Sequence, residues 1–376
     1  MKALVYEGPY DIRVEEKDRP EIQAPDDIIL RVTTTAICGS DLHLYHGAIE
    51  SLKPGQTLGH EFMGIVDQAG PEVHEVEVGD RVVIPFNVCC GRCWYCRNQL
   101  WSQCDRSNPK AQLGAAFGYG EQMGGYDGGQ AEYVRVPFAN AMAMKVPESL
   151  SDEDVIFLSD ILPTGYFGTD LADVSPGDDV AVFGAGPVGY FAVISAYLRG
   201  AARVFSIDRW PRRLDLTAEI GAEPIRFDKV DPVEAIKEET KGLGAICIDA
   251  VGFEAINPTG QPQSDDTANE PIDPVQVLTW ISQCARRFST VGIPGVYTIS
   301  LDNFPMGMFF NRELHLKMGQ CPVMKYAHRL LHLIECGRIN PKALISHTMS
   351  LEEGPNGYDI FNKKEATKVI LKTENV

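Results

Sequence analysis

The chain has 376 residues, 44% hydrophobic and 23% charged, an ordinary globular composition with length for about two domains of roughly 150 residues each. Acidic residues outnumber basic ones by 52 to 34, a formal charge of −18, which excludes the basic footprint of a nucleic-acid binder and attraction to an anionic membrane surface. No apolar run reaches the ~20 residues that a membrane-spanning helix needs.

The opening residues, MKALVYEGPYDIRVEEKDRP, lack the charged, apolar and small-residue order of a signal peptide. Ten cysteines are too few for a disulfide scaffold, and five of them crowd between Cys89 and Cys104. In a chain without an export signal that cluster reads as metal binding, and the expected compartment is the reducing cytoplasm.

Along the first ~150 residues, short β-branched runs such as IILRVTTTAI, GIVDQA and DRVVIPF alternate with Gly, Pro and Asp turn signals. The texture changes at SDEDVIFLSD, whose Ser and Asp open a helix. Beyond it DDVAVFGAG, RVFSID, GAICIDAVG and FSTVGIPG recur as strands with helical patterns such as VGYFAVISAYLRG between them. That alternation predicts a doubly wound α/β parallel sheet with right-handed crossovers. The polar, Pro-rich stretch Asn257–Pro274 reads as an inserted loop. A helix in MKYAHRLLHLIECG and a strand in KVILK close the chain. The expected domains are 1–161 with 318–376, β-rich, and 162–317, doubly wound.

DVAVFGAGPVG places Gly184, Gly186 and Gly189 between a strand and a helix that begins at Pro187 and Val188. The first glycine permits the tight turn, the second a close pyrophosphate, and the third close helix–strand packing. Free amides at the helix start then hold the anion. The next strand ends at Asp208, placed to accept an adenosine ribose hydroxyl and to repel a 2′-phosphate. NAD is therefore favoured over NADP, tempered by Arg209, Arg212 and Arg213, since a nearby arginine can accommodate that phosphate.

Cys90, Cys93, Cys96 and Cys104 follow a Cx2Cx2Cx7C spacing. Four thiolates on one short lobe (about 89–105) close a tetrahedron around zinc and leave no open position, as a structural site requires. Cys89 is expected to turn its side chain away from the other four. Cys38 in CGSDLH, His60 with Glu61 in GHE, and Asp160 in SDILPTG offer one thiolate, one imidazole and one carboxylate. Together they would leave a fourth position open, as catalytic zinc requires. Each alone also fits a core cysteine or a satisfied polar group, and spacing cannot join residues so far apart.

ICGSDLH, GHEFMG, VGDRVV, the cysteine lobe, GAGPVG and VGIPG together resemble the zinc-containing medium-chain alcohol dehydrogenases over nearly the full length. SDILPTGY, GGQAEYV, IDAVGFEA and PVMKY are similar to the glutathione-independent formaldehyde dehydrogenases and dismutases within that family. The resemblance implies a GroES-like β-rich catalytic domain plus a Rossmann domain, with NAD in the cleft between them and two zinc ions per chain. It implies Cys38, His60 and Asp160 as catalytic zinc ligands, with Asp160 replacing the second cysteine of most relatives and Glu61 as a temporary ligand. It makes Ser40 the acceptor of the substrate proton, His43 the group that passes it towards solvent, and Asp41 the residue that orients His60. Thr164 and the Gly292–Ile293–Pro294 turn match positions lining the nicotinamide.

The implied reaction is reversible hydride transfer between NAD and a small alcohol or aldehyde hydrate, formaldehyde without glutathione among them. A general primary or polyol alcohol dehydrogenase is the alternative, and a non-catalytic NAD-binding relative ranks well below both. The stretch VYTISLDNFPMGMFFNRELHLKMGQ is shorter than the segment that shuts the cofactor in within the formaldehyde group, which removes the ground for a captive NADH. Phe86, Trp94, Trp101 and the run Phe304 to Phe310 are expected to serve packing before pocket wall. The expected partners are a small-molecule substrate and further copies of the chain, a homotetramer ahead of a dimer.

Overall fold

The β-branched run Ile28–Ile37 forms the longest strand, ten residues of which nine are buried. The computed structural model that shows it describes residues 1–49, 52–111, 113–256 and 272–373. Branched side chains favour the extended backbone because they pack against cross-strand neighbours. Ile28–Ile37 pairs antiparallel along its length with Glu61–Ala69. On its other edge it pairs first with Tyr133–Val136 and then with Val369–Lys372. Arg81–Ile84, Met144–Lys145 and His347–Ser350 complete this seven-stranded sheet. The register sets Ala36 opposite Glu61, so the residues just beyond these strand ends, Cys38 and His60, emerge at the same edge of the sheet.

Phe62 anchors that edge. Its fully buried ring meets Phe117 edge-to-face with centroids 5.0 Å apart. It also lies against the bare Cα of Gly129, where a methyl group would fall 2.2 Å from the ring. The expected change of texture appears at residue 151. Ser151 caps Asp152–Val155 reciprocally with Asp154, but the helix tightens into a 3-10 turn over Ile156–Ser159 before Ile161–Leu171 resumes.

The chain forms two compact units, Met1–Pro163 with Pro322–Val376, and Thr164–Cys321. The second holds a six-stranded, all-parallel sheet. Its spatial order is Glu223–Arg226, Arg203–Asp208, Asp179–Phe183, Ile246–Asp249, Thr290–Ile293, His315–Met318. Numbered along the chain this is 3-2-1-4-5-6, the doubly wound dinucleotide-binding order, which reverses direction beside Asp179–Phe183. The four inner strands match the four predicted apolar runs. The two edge strands escaped prediction because EPIR contains a proline and HLKM is largely exposed. The expected Asn257–Pro274 loop lies, up to residue 271, outside the described residues. Among the described residues no helix is long and apolar enough to cross a membrane.

Phe62→Ala removes a ring that ties the strand, the Phe117 segment and the backbone at Gly129 together. It should cost about 3–5 kcal/mol, as for other buried aromatic truncations, read as a lowered urea midpoint of the first unfolding transition. An unchanged midpoint would contradict this packing.

Candidate active site

Cys38 caps the helix Gly39–Tyr45, where its side chain accepts the Asp41 N–H and its own N–H donates to Asp41 Oδ2 at 2.9 Å. The other Asp41 oxygen lies 2.9 Å from His60 Nδ1. That contact holds the ring with Nε2 free to face the Cys38 side, where it stands 3.1 Å from Asp160 Oδ2. Cys38 Sγ is 3.7 Å from the same Asp160 oxygen. Asp160 arrives from the 3-10 turn, fixed by the Phe86 N–H donating to the Ser159 carbonyl at 2.8 Å. One ligand atom from each of Cys38, His60, Glu61 and Asp160 lies within 4.8 Å of the others, and all four residues are buried. Ser40 Oγ sits on the rim, donating to Cys38 Sγ at 3.3 Å and 3.4 Å from His60 Nε2. His43, one turn along the same helix, is buried.

Without a cation this cluster is electrostatically uncomfortable. Burial, and next the Glu61 charge, push the Cys38 thiol up to about 11. Burial likewise raises Glu61, opposed by the Lys368 ammonium. Glu61 and Lys368 are both fully buried, with Nζ 2.8 Å from Oε1 and 2.7 Å from Oε2. A divalent ion removes the mismatch, because it favours thiolate and carboxylate over their protonated forms. The donor set fits one zinc, with imidazole, thiolate and carboxylate as first ligands.

The second cluster is the lobe of Cys90, Cys93, Cys96 and Cys104, whose sulfurs also lie within 4.8 Å of one another. Cys93 Sγ is 3.4 Å from Cys96 Sγ and 3.9 Å from Cys104 Sγ. Four sulfurs ~2.3 Å from one zinc would stand about 3.8 Å apart. The Cys96 thiol, and then burial, push Cys104 up to about 12, again a group waiting for a metal before it gives up its proton. Cys89 stays outside the four-sulfur group. It is buried in the core that carries the lobe, where its N–H donates to Met142 Sδ at 3.5 Å.

In the parallel unit, Gly184 sits at φ +90°, and a methyl group there would fall 2.8 Å from the Val251 side chain. A Cβ on Gly189 would come within 1.8 Å of the Gly184 carbonyl oxygen, so glycine is required for the helix Pro187–Leu198 to pack onto the turn. Gly186 is the helix N-cap, and a Cβ there would have only Arg213 Nη1, at 3.8 Å, near it. Pro187 and Val188 follow as the first helical residues. Asp208 is buried at its strand end, where Oδ2 accepts from Ala185 N–H at 2.8 Å. Its Oδ1 accepts from the N–H groups of Arg209 and Trp210 at 2.7 and 3.1 Å. The acid thus fastens the glycine loop. Arg213 Nη1 stands 3.8 Å from Asp208 Oδ2, and Arg209 lies over the Trp210 ring. Thr164, Gly292, Ile293 and Pro294 are buried, and Gly292 carries no side chain because Gly168 O would lie 2.4 Å from it.

Several residues of the site escaped the sequence reading. Lys368 begins the predicted KVILK strand but gives no sign of a partner. Gln130, inside GGQAEYV, lies 3.4 Å from Asp41 Oδ2 through Nε2 and accepts from Tyr358 Oη at 2.8 Å. Tyr119, which that reading did not name, and Phe86, which it expected to serve packing, flank His60 with ring centroids 5.3 and 6.2 Å away. Of the other aromatic candidates, Trp94 is exposed, Trp101 packs against the lobe core, and Phe304 stacks on Phe309.

Comparison with known proteins places these features in a lineage. Residues 24–148 match the alcohol dehydrogenase GroES-like domain. The chain is 41% identical to a zinc-type alcohol dehydrogenase-like protein of Bacillus subtilis, covering 99% of this chain and 100% of that one. It is 36% identical to a glutathione-independent formaldehyde dehydrogenase of Pseudomonas aeruginosa, over 100% of this chain and 98% of that protein. Among solved structures, the alcohol dehydrogenase TADH of Thermus sp. ATN1 superimposes with a TM-score of 0.88 at 38% identity, each chain covered completely.

In metal-free protein the Glu61–Lys368 pair supplies a test of its own. Lys368→Met leaves a buried carboxylate without its counter-charge and should cost roughly 3–5 kcal/mol in urea unfolding. Glu61→Gln in the same chain should recover much of that loss, because the two groups act as one unit. Additive losses would contradict the pairing.

Proposed function

The chain belongs to the zinc-type alcohol dehydrogenase family, and from that premise we propose that it is an NAD-dependent enzyme moving hydride between the cofactor and a small alcohol or aldehyde hydrate. The observation that carries the reading is the buried Cys38–His60–Glu61–Asp160 cluster with a serine hydroxyl on its rim. In this reading Cys38, His60 and Asp160 hold a catalytic zinc and Cys90, Cys93, Cys96 and Cys104 a structural one. Zinc supplies Lewis acidity toward an oxygen donor and the nicotinamide supplies the hydride acceptor.

The chain's own residues do the rest. Asp41 Oδ1 fixes the His60 ring and its tautomer, so Nε2 is always the ligating nitrogen. Ser40 Oγ takes the substrate hydroxyl proton as it gives up its own, which passes through the cofactor ribose to His43 and on to solvent. Lys368 holds the Glu61 carboxylate, which would serve as a temporary ligand to a bound zinc. The Gly184–Gly189 turn with Pro187 and Val188 cradles the pyrophosphate, and Asp208 meets the adenosine ribose. Arg209 and Arg213 border that carboxylate, and Thr164, Gly292, Ile293 and Pro294 line the nicotinamide. Asp160 in place of a thiolate gives a harder ligand set, favouring a small, strongly hydrated aldehyde such as formaldehyde as well as short alcohols.

A homo-oligomer, a tetramer ahead of a dimer, belongs to the same proposal. Its support is the edge strand His315–Met318, which pairs on one side only among the described residues, together with the exposed Met306, Phe310 and Met318. Exposed strand edges with apolar neighbours are usually covered. Cytoplasmic location rests on cysteine usage: five of the ten cysteines stand in the two metal-type clusters, and none is in a disulfide.

Metal analysis should find about two zinc ions per chain, falling to one in Asp160→Ala and to one in Cys104→Ser, only the former with loss of turnover. Ser40→Ala should lower kcat/KM by roughly 10²–10⁴ with zinc content unchanged, as expected for loss of a proton-transfer group. NADH formation with formaldehyde and with short primary alcohols, without glutathione, is the direct assay. Silence on both in zinc-replete protein would overturn the substrate class.

A further inference from the structure

Asp249 ends the inner strand Ile246–Asp249 and is fully buried. The sheet order reverses between this strand and Asp179–Phe183, and a dinucleotide lies in the crevice outside such a reversal. The turn after Asp249 forms one wall of that crevice, facing the glycine turn. The Ala250 N–H donates to Phe183 O at 2.9 Å, and a methyl group on Gly184 would fall 2.8 Å from the Val251 side chain.

Asp249 Oδ1 accepts from the Val251 and Gly252 N–H groups at 2.9 and 3.0 Å, which is all that the turn itself requires. Oδ2 reaches further and accepts from Tyr297 Oη at 2.8 Å. Tyr297 is half-buried and follows closely on the Gly292–Ile293–Pro294 turn. Two backbone hydrogen bonds run beside it, from Gly295 N–H to Asp249 O at 3.0 Å and from Phe253 N–H to Val296 O at 2.9 Å. Neither glycine there has room for a side chain. A Cβ on Gly252 would fall 2.3 Å from Val296 O, and one on Gly295 2.6 Å from the Gly252 nitrogen. Burial raises the Asp249 carboxyl, opposed by the same two N–H groups and by the Tyr297 hydroxyl.

We infer that the Asp249–Tyr297 hydrogen bond positions the nicotinamide end of the cofactor, by fastening the loop that carries Gly292, Ile293 and Pro294 to the crevice wall at Val251. The inference rests on the reading of those three residues as the nicotinamide lining. Both are positioning residues, acting through the loop and not on the reacting atoms. A hydrogen bond to a carboxylate is stronger than a neutral one, so it holds two loops firmly. A loop that spends less time in the competent shape binds its ligand more weakly in proportion. The adenosine end has its own anchors in Asp208 and the glycine turn, so the pair discriminates between the two ends of the cofactor.

The test is equilibrium titration of zinc-replete Tyr297→Phe with NADH, read by nicotinamide fluorescence, and with ADP-ribose, read by calorimetry. ADP-ribose keeps the adenosine and pyrophosphate but lacks the nicotinamide. NADH should bind about tenfold more weakly than to the unsubstituted chain, as for loss of one hydrogen bond to a charged group, while ADP-ribose keeps its affinity. Asp249→Asn retains an acceptor for the two N–H groups. It should weaken NADH similarly and add no further loss in the double variant, since the two ends of one bond act as a unit. Unchanged NADH affinity in Tyr297→Phe would overturn the inference. So would an equal loss for both ligands, which marks a general weakening of the fold, or additive losses in the double variant. An unsubstituted chain that binds neither ligand would instead overturn the cofactor reading, and this inference with it.

Discussion

Asp41 is a fully buried carboxylate with three partners, and the proposed catalytic centre depends on it. It accepts from the Cys38 backbone, orients His60 through Nδ1 and meets Gln130, which Tyr358 holds from the C-terminal helix. A buried carboxylate is stable only when its oxygens are satisfied by well-placed donors. Here the donors come from three separate stretches of chain, and Tyr358 adds a fourth behind Gln130, so the demand of one charge fixes the relative positions of a helix start, a strand start, a glycine-rich loop and the returning tail.

The same logic runs outward. Cys38 and His60 are neighbours because antiparallel register brings the ends of two strands together, and Asp160 joins them because a 3-10 turn packs onto that sheet. Glu61, the next residue along, would be an uncompensated charge but for Lys368. The sheet supplies rigidity and the polar residues supply direction, which is how a site with few ligands keeps the precision that metal chemistry requires.

How much of this is legible in the chain depends on range. The cysteine lobe, the glycine turn and the inner strands are local patterns of a few residues, and the residues carry them openly. The Cys38–His60–Asp160 cluster is not local. Asp160 stands 122 residues from Cys38, and Lys368 stands 307 from Glu61. No periodicity connects them, and only the family resemblance put Cys38, His60 and Asp160 together. Lys368, Gln130 and Tyr358 went unseen because a lysine at a strand start ordinarily reaches solvent, and a glutamine after two glycines ordinarily belongs to a turn.

Zinc-edge X-ray absorption on the dialysed protein measures the ligand sets most directly. One site of four sulfurs and one of a single sulfur with imidazole and carboxylate average to about 2.5 sulfurs per zinc, the remainder being nitrogen and oxygen. That mixed first shell is the result the account predicts. A shell of sulfur alone, with a single zinc per chain, would mean that the Cys38–His60–Asp160 cluster holds no metal and that the proposed catalytic centre is wrong.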